Sequence, residues 1–312
     1  MNLNNYKKLS GDASFRSFYR TKKSIIVHCR KNKRQNLLIY DAVNKLLIKN
    51  SIPAPKLISN KYKKNYIEIE DFGDNTIFHF IKKNKEKKLI IFKKIFHLLI
   101  KIQKIKKIQI KDFNKKYYQI PNYTEKQIIN EANLFNKWYL PSKIKKKDHK
   151  KIKIQLSQIC RRLIKKLQLR KKVFVHRDFH ISNVMILKKK LALIDNQDAL
   201  YGNPAYDLAS LIDDVRFKTS FMFKEKIFNE YLKINKKINK EKLRNDFEIL
   251  SVLRNLKIIG IFIRLSLRDK KHNYLKLIPY AWELIESRIK DKKFKELNYF
   301  FKKQFPKKNR LK

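Results

Sequence analysis

The stretch from Val173 to Asp198, VFVHRDFHISNVMILKKKLALIDNQD, constrains this chain more than any other. Two apolar runs of strand length, Val173 to Val175 and Leu191 to Ile194, each deliver an acidic residue shortly after their ends, Asp178 and Asp195. Phosphoryl transfer asks for that layout. The reaction leaves the protein little covalent work, so an enzyme of this class mainly positions a hydroxyl, a nucleotide and metal ions, and offsets the charge on the phosphates.

The spacing inside the stretch is informative. Asp178, five residues before Asn183, fits the pattern H-R-D-x-x-x-x-N, in which the Asp receives the substrate hydroxyl and the Asn helps to hold a magnesium ion. Asp195 follows its strand where kinases carry the metal-binding Asp of D-F-G, although the triplet here is Asp195-Asn196-Gln197. With His180 two residues after Asp178, the segment resembles the aminoglycoside phosphotransferase and choline kinase branch of the protein-kinase-like fold. The longer run IDNQDALYGNPAYDLASLIDDVR resembles a narrower group, the anomeric kinases of N-acetylmuramate and N-acetylglucosamine in bacterial cell-wall recycling.

The resemblance implies an α+β, two-lobed fold, with a small antiparallel β lobe carrying one helix over residues 1–74 and a larger, mainly helical lobe over 75–312. It also implies ATP and Mg2+ as cofactors, Asp178 as the catalytic residue, Asn183 and Asp195 as metal ligands, and His176 as support. His180 has two readings, a contact to the γ-phosphate or a brace for the loop. Asp207, in the DLA triplet, is expected to anchor the catalytic loop. Asp198 is expected either to orient Asp195 or water around the metal, or to cap a turn.

Composition bounds this reading. A chain of 312 residues can bury a sizeable core. Cys29 and Cys160 match no metal-ligand spacing and read as two reduced thiols of a cytoplasmic protein. The start, MNLNNYKKLSGD, lacks the apolar core of a signal peptide, and charges interrupt every apolar run short of membrane-spanning length. The net charge of +51 is the usual footprint of a nucleic-acid binder. Here Lys and Arg are spread along the chain, alongside abundant Ile and Asn and only 4 Gly, which is how an AT-rich genome writes an ordinary protein. No specific nucleic-acid partner is expected.

Taken in order, Leu9 to Arg16 reads as a turn before strands at Phe18 to Arg20 and Ser24 to His28. The narrower group has a similar GDASFR segment over the ATP phosphates, which makes Gly11 and Ser14 cofactor-binding candidates. Protein kinases carry a phosphate-pairing Lys on the next strand, but no Lys stands in that register here. Arg30, Lys31 and Lys33 are the substitutes, and the helix Gln35 to Lys49 offers only Gln35 and Asp41 in place of the usual Glu. Ser51-Ile52-Pro53-Ala54-Pro55 ends that helix. The alternating run Tyr66 to Glu70 reads as a strand leading into Asp71-Phe72-Gly73-Asp74, the hinge of the resembled group, which places Glu70 and Phe72 by the nucleotide.

Asn75 to Arg170 reads as helical, with apolar residues at helical spacing in Ile90, Ile91, Ile95, Leu98, Leu99, Ile102 and Ile105, and a Lys-rich connection from Leu140 to Lys153. Near the C-terminus, Arg254 to Leu265 and the following Arg268-Asp269 resemble the RNLKxLGxFxRLxxRD segment of the sugar kinases. Arg254, Arg264, Arg268 and Asp269 read either as ligands of a sugar and its acidic lactyl group or as a buried ion-pair set. The function expected is ATP-dependent phosphorylation of a small sugar, with another small acceptor on the same fold, or a non-catalytic kinase-like binder, as the alternatives.

Overall fold

The computed structural model describes residues 6–9, 16–188 and 190–310. Two compact units emerge, one from residues 1–122 and 173–201, the other from 123–172 and 202–312.

The first unit is built on a five-stranded antiparallel sheet in the order β1-β2-β3-β5-β4. Its strands are β1 (Lys7–Leu9), β2 (Arg16–Arg20), β3 (Ser24–Cys29), β4 (Leu57–Lys61) and β5 (Tyr66–Glu70). Alternation decides the buried face: Ile25, Val27, Cys29, Ile67 and Ile69 point one way and pack on Leu37 and Tyr40 of helix α1 (Gln35–Lys49). The helix stops where Ser51 turns to φ 57°, ahead of the two prolines. After α2 (Ile77–Lys83), helix α3 (Lys88–Gln103) buries Ile91, Phe92, Ile95, Phe96, Leu98, Leu99 and Ile102. Ile90 falls outside that stripe and is 60% exposed.

The expectation of helix from 75 to 170 is corrected at one place. A short hairpin, β6 (Gln109–Lys111) and β7 (Tyr117–Gln119), follows α3. Its turn is held by Asp112 Oδ1, which accepts the N–H groups of Asn114 at 2.7 Å and Lys116 at 3.1 Å. Strands of three mostly polar residues leave almost no periodic signal. The unit is completed by β8 (Val173–Val175) and the hairpin of β9 (Val184–Leu187) with β10 (Lys190–Leu193).

The second unit is helical. Helix α4 (Glu125–Ala132) opens with a reciprocal cap between Thr124 and Gln127. Helix α5 (His149–Lys165) begins inside the Lys-rich segment that reads as a connection. Then come α6 (Ala205–Ile212), α7 (Phe221–Ile234), the 30-residue α8 (Lys240–Asp269), α9 (Ile278–Arg288), α10 (Lys295–Gln304) and the short α11 (Lys307–Arg310). Phe135, Tyr139, Trp282, Phe301 and Phe305 form an aromatic core at ring spacings of 4.7–6.4 Å.

Gly260 lets α8 approach that core. A Cβ there would lie 2.3 Å from the Leu134 carbonyl carbon and 2.6 Å from the Phe135 nitrogen, and backbone cannot step aside as a flexible side chain would. We expect Gly260→Ala to destabilise the chain by about 1–3 kcal/mol despite the better helix propensity of Ala, read as a lower urea midpoint.

A buried ion cluster holds α6, α7 and α9 together. Asp213 accepts from Arg288 Nε at 3.0 Å and Ser251 Oγ at 2.6 Å, and Lys224 Nζ lies 3.4 Å away. Burial alone would raise the Asp213 carboxyl, but Arg288 and Lys224 hold it below the ordinary range. A depressed folded-state pKa contributes stability above the unfolded value, roughly pH 4, and loses it as pH falls further. Asp213→Asn should therefore cost about 3–5 kcal/mol at pH 7 by taking the carboxylate from Lys224 and leaving Arg288 with Glu225 alone. The gap to the parent should narrow in urea titrations at pH 3.

Both cysteines are free and buried, as expected of reduced thiols. Burial pushes Cys29 up to about 11, with Arg16 pulling the other way, and Cys160 up to about 12. Among the described residues no helix is long and apolar enough to cross a membrane.

Candidate active site

The first unit brings the central motif together. Strand β8, buried at all three residues, ends at His176, which is fully buried. The His176 Nε2 lies 3.1 Å from the Ile194 carbonyl and 2.9 Å from Asn196 Oδ1, both acceptors, so this nitrogen carries the proton. Asn196 in turn donates to Asn44 Oδ1 on α1 at 2.9 Å. The end of β8, the turn at Asp195 and α1 are thereby tied by one polar chain.

Beyond His176 the chain turns sharply, with Arg177 at φ 74°. Asn183 closes the loop: its Nδ2 donates to the Asp178 carbonyl at 3.0 Å, and its N–H to the His180 carbonyl at 2.9 Å. The same amide nitrogen lies 3.3 Å from Nε2 of the buried His180, which accepts from it and so keeps its ring proton on Nδ1. That contact is a loop brace. Ile194 donates to the Asn183 carbonyl at 3.2 Å, joining the loop to the segment that carries Asp195.

Asp195 itself stands at φ 62°, a left-handed conformation unusual outside glycine. Gln197 Nε2 donates to both Asp195 Oδ1 and Asp198 Oδ2 at 2.9 Å. Arg16, at the start of β2, spans the same pair, with Nη2 at 3.4 Å from Asp195 and 3.1 Å from Asp198. Its side chain is 3% exposed, against 35% and 38% for the two carboxylates. Arg177 Nη1 adds a bond to the Asp198 carbonyl at 3.1 Å. Burial raises the Asp195 carboxyl above its ordinary range; Arg16 opposes this, while Asp178 and Asp198 add to it.

These groups fit a magnesium ion. Among the described residues no three His, Cys, Asp or Glu side chains converge into an all-protein metal cage. Magnesium beside nucleotides needs none, since it takes one or two carboxylates and completes its shell with phosphate oxygens and water. Asp195 supplies a carboxylate in a cluster of like charge, and Asn183 has its amide oxygen left over after the nitrogen is spent on Asp178.

Other expected residues lie as follows. Gly11 and Ser14 fall outside the described residues. Arg30, Lys31 and Lys33 are exposed beyond the end of β3. Glu70 accepts the Lys56 N–H at 3.0 Å, and Phe72 is half-buried. The turn holding Phe72 is pinned by Arg20, which reaches Asp71 at 2.6 Å and Asp74 at 2.8 Å. On α1, Asp41 pairs with Lys45 at 2.6 Å and Gln35 is exposed, while Tyr40 and Asn44 are the residues turned to the Asp195 turn.

In the second unit Asp207 is fully buried in the first turn of α6. Arg254 is buried at 4% exposure with no partner for Nη1, Arg264 is half-buried, and the exposed Arg268 pairs with Asp269 at 2.8 Å. Reading the sequence did not single out Arg16, Gln197 or Asn44. The Arg of GDASFR, one strand ahead of a strand that lacks its Lys, was the available signal for the first.

Relatives give this geometry its family. The chain is 25% identical over 289 residues to the N-acetylmuramate/N-acetylglucosamine kinase of Pseudomonas aeruginosa, covering 90% of this chain and 82% of that protein. Its fold matches a choline/ethanolamine kinase family protein of Mesorhizobium loti with a TM-score of 0.61 at 10% identity, over 95% of this chain and 91% of that one. An ADP-bound aminoglycoside phosphotransferase, APH(2'')-Ib, matches with a TM-score of 0.60 at 14% identity, over 94% and 95% of the two chains. The two structures establish the α+β, two-lobed kinase-like fold. The model of the phosphotransferase enzyme family matches residues 5–245; this chain belongs to that family and is an ATP-dependent small-molecule kinase.

Proposed function

We propose that this kinase transfers the ATP γ-phosphoryl group to the anomeric hydroxyl of N-acetylmuramate or N-acetylglucosamine, with residues 1–74 as its nucleotide-binding lobe and 75–312 carrying the catalytic loop and acceptor groups. One observation carries the chemistry: Asn183 bonds the Asp178 carbonyl and accepts from Ile194, so Asp178, Asn183 and Asp195 share one braced frame. Similarity over 90% of the chain to a relative of that name supports the acceptor.

In the proposed reaction Asp178 orients the acceptor hydroxyl and takes its proton as that oxygen bonds the γ-phosphorus and the bond to the β,γ-bridging oxygen breaks, ADP leaving. Asn183 and Asp195 would hold Mg2+, which, when bound, offsets charge on the phosphates. His180 keeps the loop in register through Asn183, and Gln197, itself bonded to Asp198, holds the Asp195 carboxylate in place. Gly11, Ser14, Glu70 and Phe72 are proposed to line the nucleotide, and Asp207 to be a supporting rather than a reacting residue.

The test is ATP consumption with Mg2+ and N-acetylmuramate, N-acetylglucosamine, an aminoglycoside, choline or no acceptor. Turnover confined to the amino sugars, giving an acid-labile 1-phosphate, is the expected result; turnover with the aminoglycoside or choline alone would replace the acceptor.

Of the acceptor candidates Arg264, Arg268, Asp269 and Arg254, the last fits a carboxylate best. Among the described residues Arg254 Nη1 is buried without a partner, which is costly unless an anion completes it. Arg254→Met is expected to raise KM for N-acetylmuramate by roughly tenfold or more while moving KM for N-acetylglucosamine, which has no carboxylate, much less. Equal changes for both sugars would return Arg254 to a structural role.

A further inference from the structure

The kinase pattern leaves one post unfilled. The strand that should carry a phosphate-pairing Lys, β3, has none, and the basic residues just past it are exposed. Arg16 sits beside that post. It pairs across the sheet with Cys29, the last residue of β3, and directly follows residues 11–15, whose sequence resembles a loop over the phosphates.

Its guanidinium pairs with both Asp195 and Asp198 and is almost fully buried, while the two carboxylates it joins are half-exposed. Burying a guanidinium this deeply costs several kcal/mol, and a mere sheet residue at this position would be apolar. The arrangement makes sense when the charge itself is used.

Resting on the kinase reading above, we propose that Arg16 replaces the missing β3 Lys: it fills the cation position between Asp195 and Asp198 while the site lacks a metal, and pairs with the nucleotide's phosphate oxygens once Mg2+ takes over those carboxylates. A cation is needed near the carboxylates in both states, since Asp195 and Asp198 stand close enough to share one Arg16 nitrogen and one Gln197 amide nitrogen. Arginine suits the exchange, because its planar fork matches carboxylate and phosphate alike. Arg16 is thus a binding residue for phosphate and a competitor of the metal.

That dual role has a signature that a purely structural residue lacks. Binding of Mn2+ to the nucleotide-free chain, followed by electron paramagnetic resonance, should tighten several-fold in Arg16→Met because a competing charge is gone. Affinity for ATP with Mg2+, followed by calorimetry, should weaken roughly tenfold to a hundredfold in the same variant, the worth of a charge-assisted contact. Adenosine affinity should not move, and Arg16→Lys should recover most of the ATP affinity.

Parallel weakening of Mn2+, ATP and adenosine in Arg16→Met would make Arg16 a structural brace and overturn the proposal, as would unchanged ATP affinity. If Arg16→Met does not fold, Arg16→Gln, which also removes the charge, decides. A loss of ATP affinity with adenosine affinity kept upholds the phosphate contact, and a common loss removes it. Failure of the parent chain to bind ATP would count instead against the kinase reading.

Discussion

Replacing Asp178 with Asn is expected to lower kcat by about 10²–10⁴-fold, the worth of a positioned general base, while leaving nucleotide affinity close to that of the parent. Two features make this substitution clean. Two of the loop bonds that fix residue 178 are made by its backbone carbonyl, which accepts from Asn183 Nδ2 and from the His180 N–H at 3.0 Å, and Asn keeps that carbonyl. The side chain keeps its shape and loses only its charge and basicity. Steady-state rates with the amino-sugar acceptor and calorimetry with ATP and Mg2+ check both halves. Undiminished turnover would remove Asp178 from its role; a parallel loss of nucleotide affinity would make it a metal ligand.

Asp195→Asn should act on the other half of the reaction. Asp195 is a half-exposed carboxylate, steadied by Gln197 at 2.9 Å, and its pKa is raised by burial and by neighbouring carboxylates. A divalent cation relieves that crowding, so losing the charge removes the main reason for the metal to bind. We expect ATP affinity in Mg2+ to fall by about 10²-fold or more, with kcat following at any accessible Mg2+ concentration. ATP binding in EDTA should change little, or improve slightly, because a carboxylate facing the phosphates is gone. Equal affinity for ATP with Mg2+ in the variant and the parent would place the metal elsewhere.

Much of this was legible before any fold was known. Periodicity carried β5 and α1, whose observed bounds Tyr66–Glu70 and Gln35–Lys49 coincide with the alternating run and the helical run, because each element sits on its own apolar stripe. The breaker at Ser51 to Pro55 worked for the same local reason. Where local signal was thin the sequence said less. The hairpin at Gln109 to Gln119 has strands of three residues and is held by one Asp side chain. The start of α5 at His149 lay hidden in lysines that are equally at home in a solvated coil.

By itself, then, the sequence determined that Asp178, Asn183 and Asp195 come together, since they lie within a few residues of two short strands and strand-loop geometry leaves such neighbours little freedom. Tertiary structure alone decided which distant residues complete them. Arg16 meets Asp195 across 179 positions and Asn44 meets Asn196 across 152, separations over which no periodicity operates. Among 78 Lys and Arg residues, nothing in the residue type marks the one that will be buried beside the carboxylates. Packing makes that choice: β2 turns Arg16 inward to face the site, whereas the chain beyond β3 leaves Arg30, Lys31 and Lys33 in water.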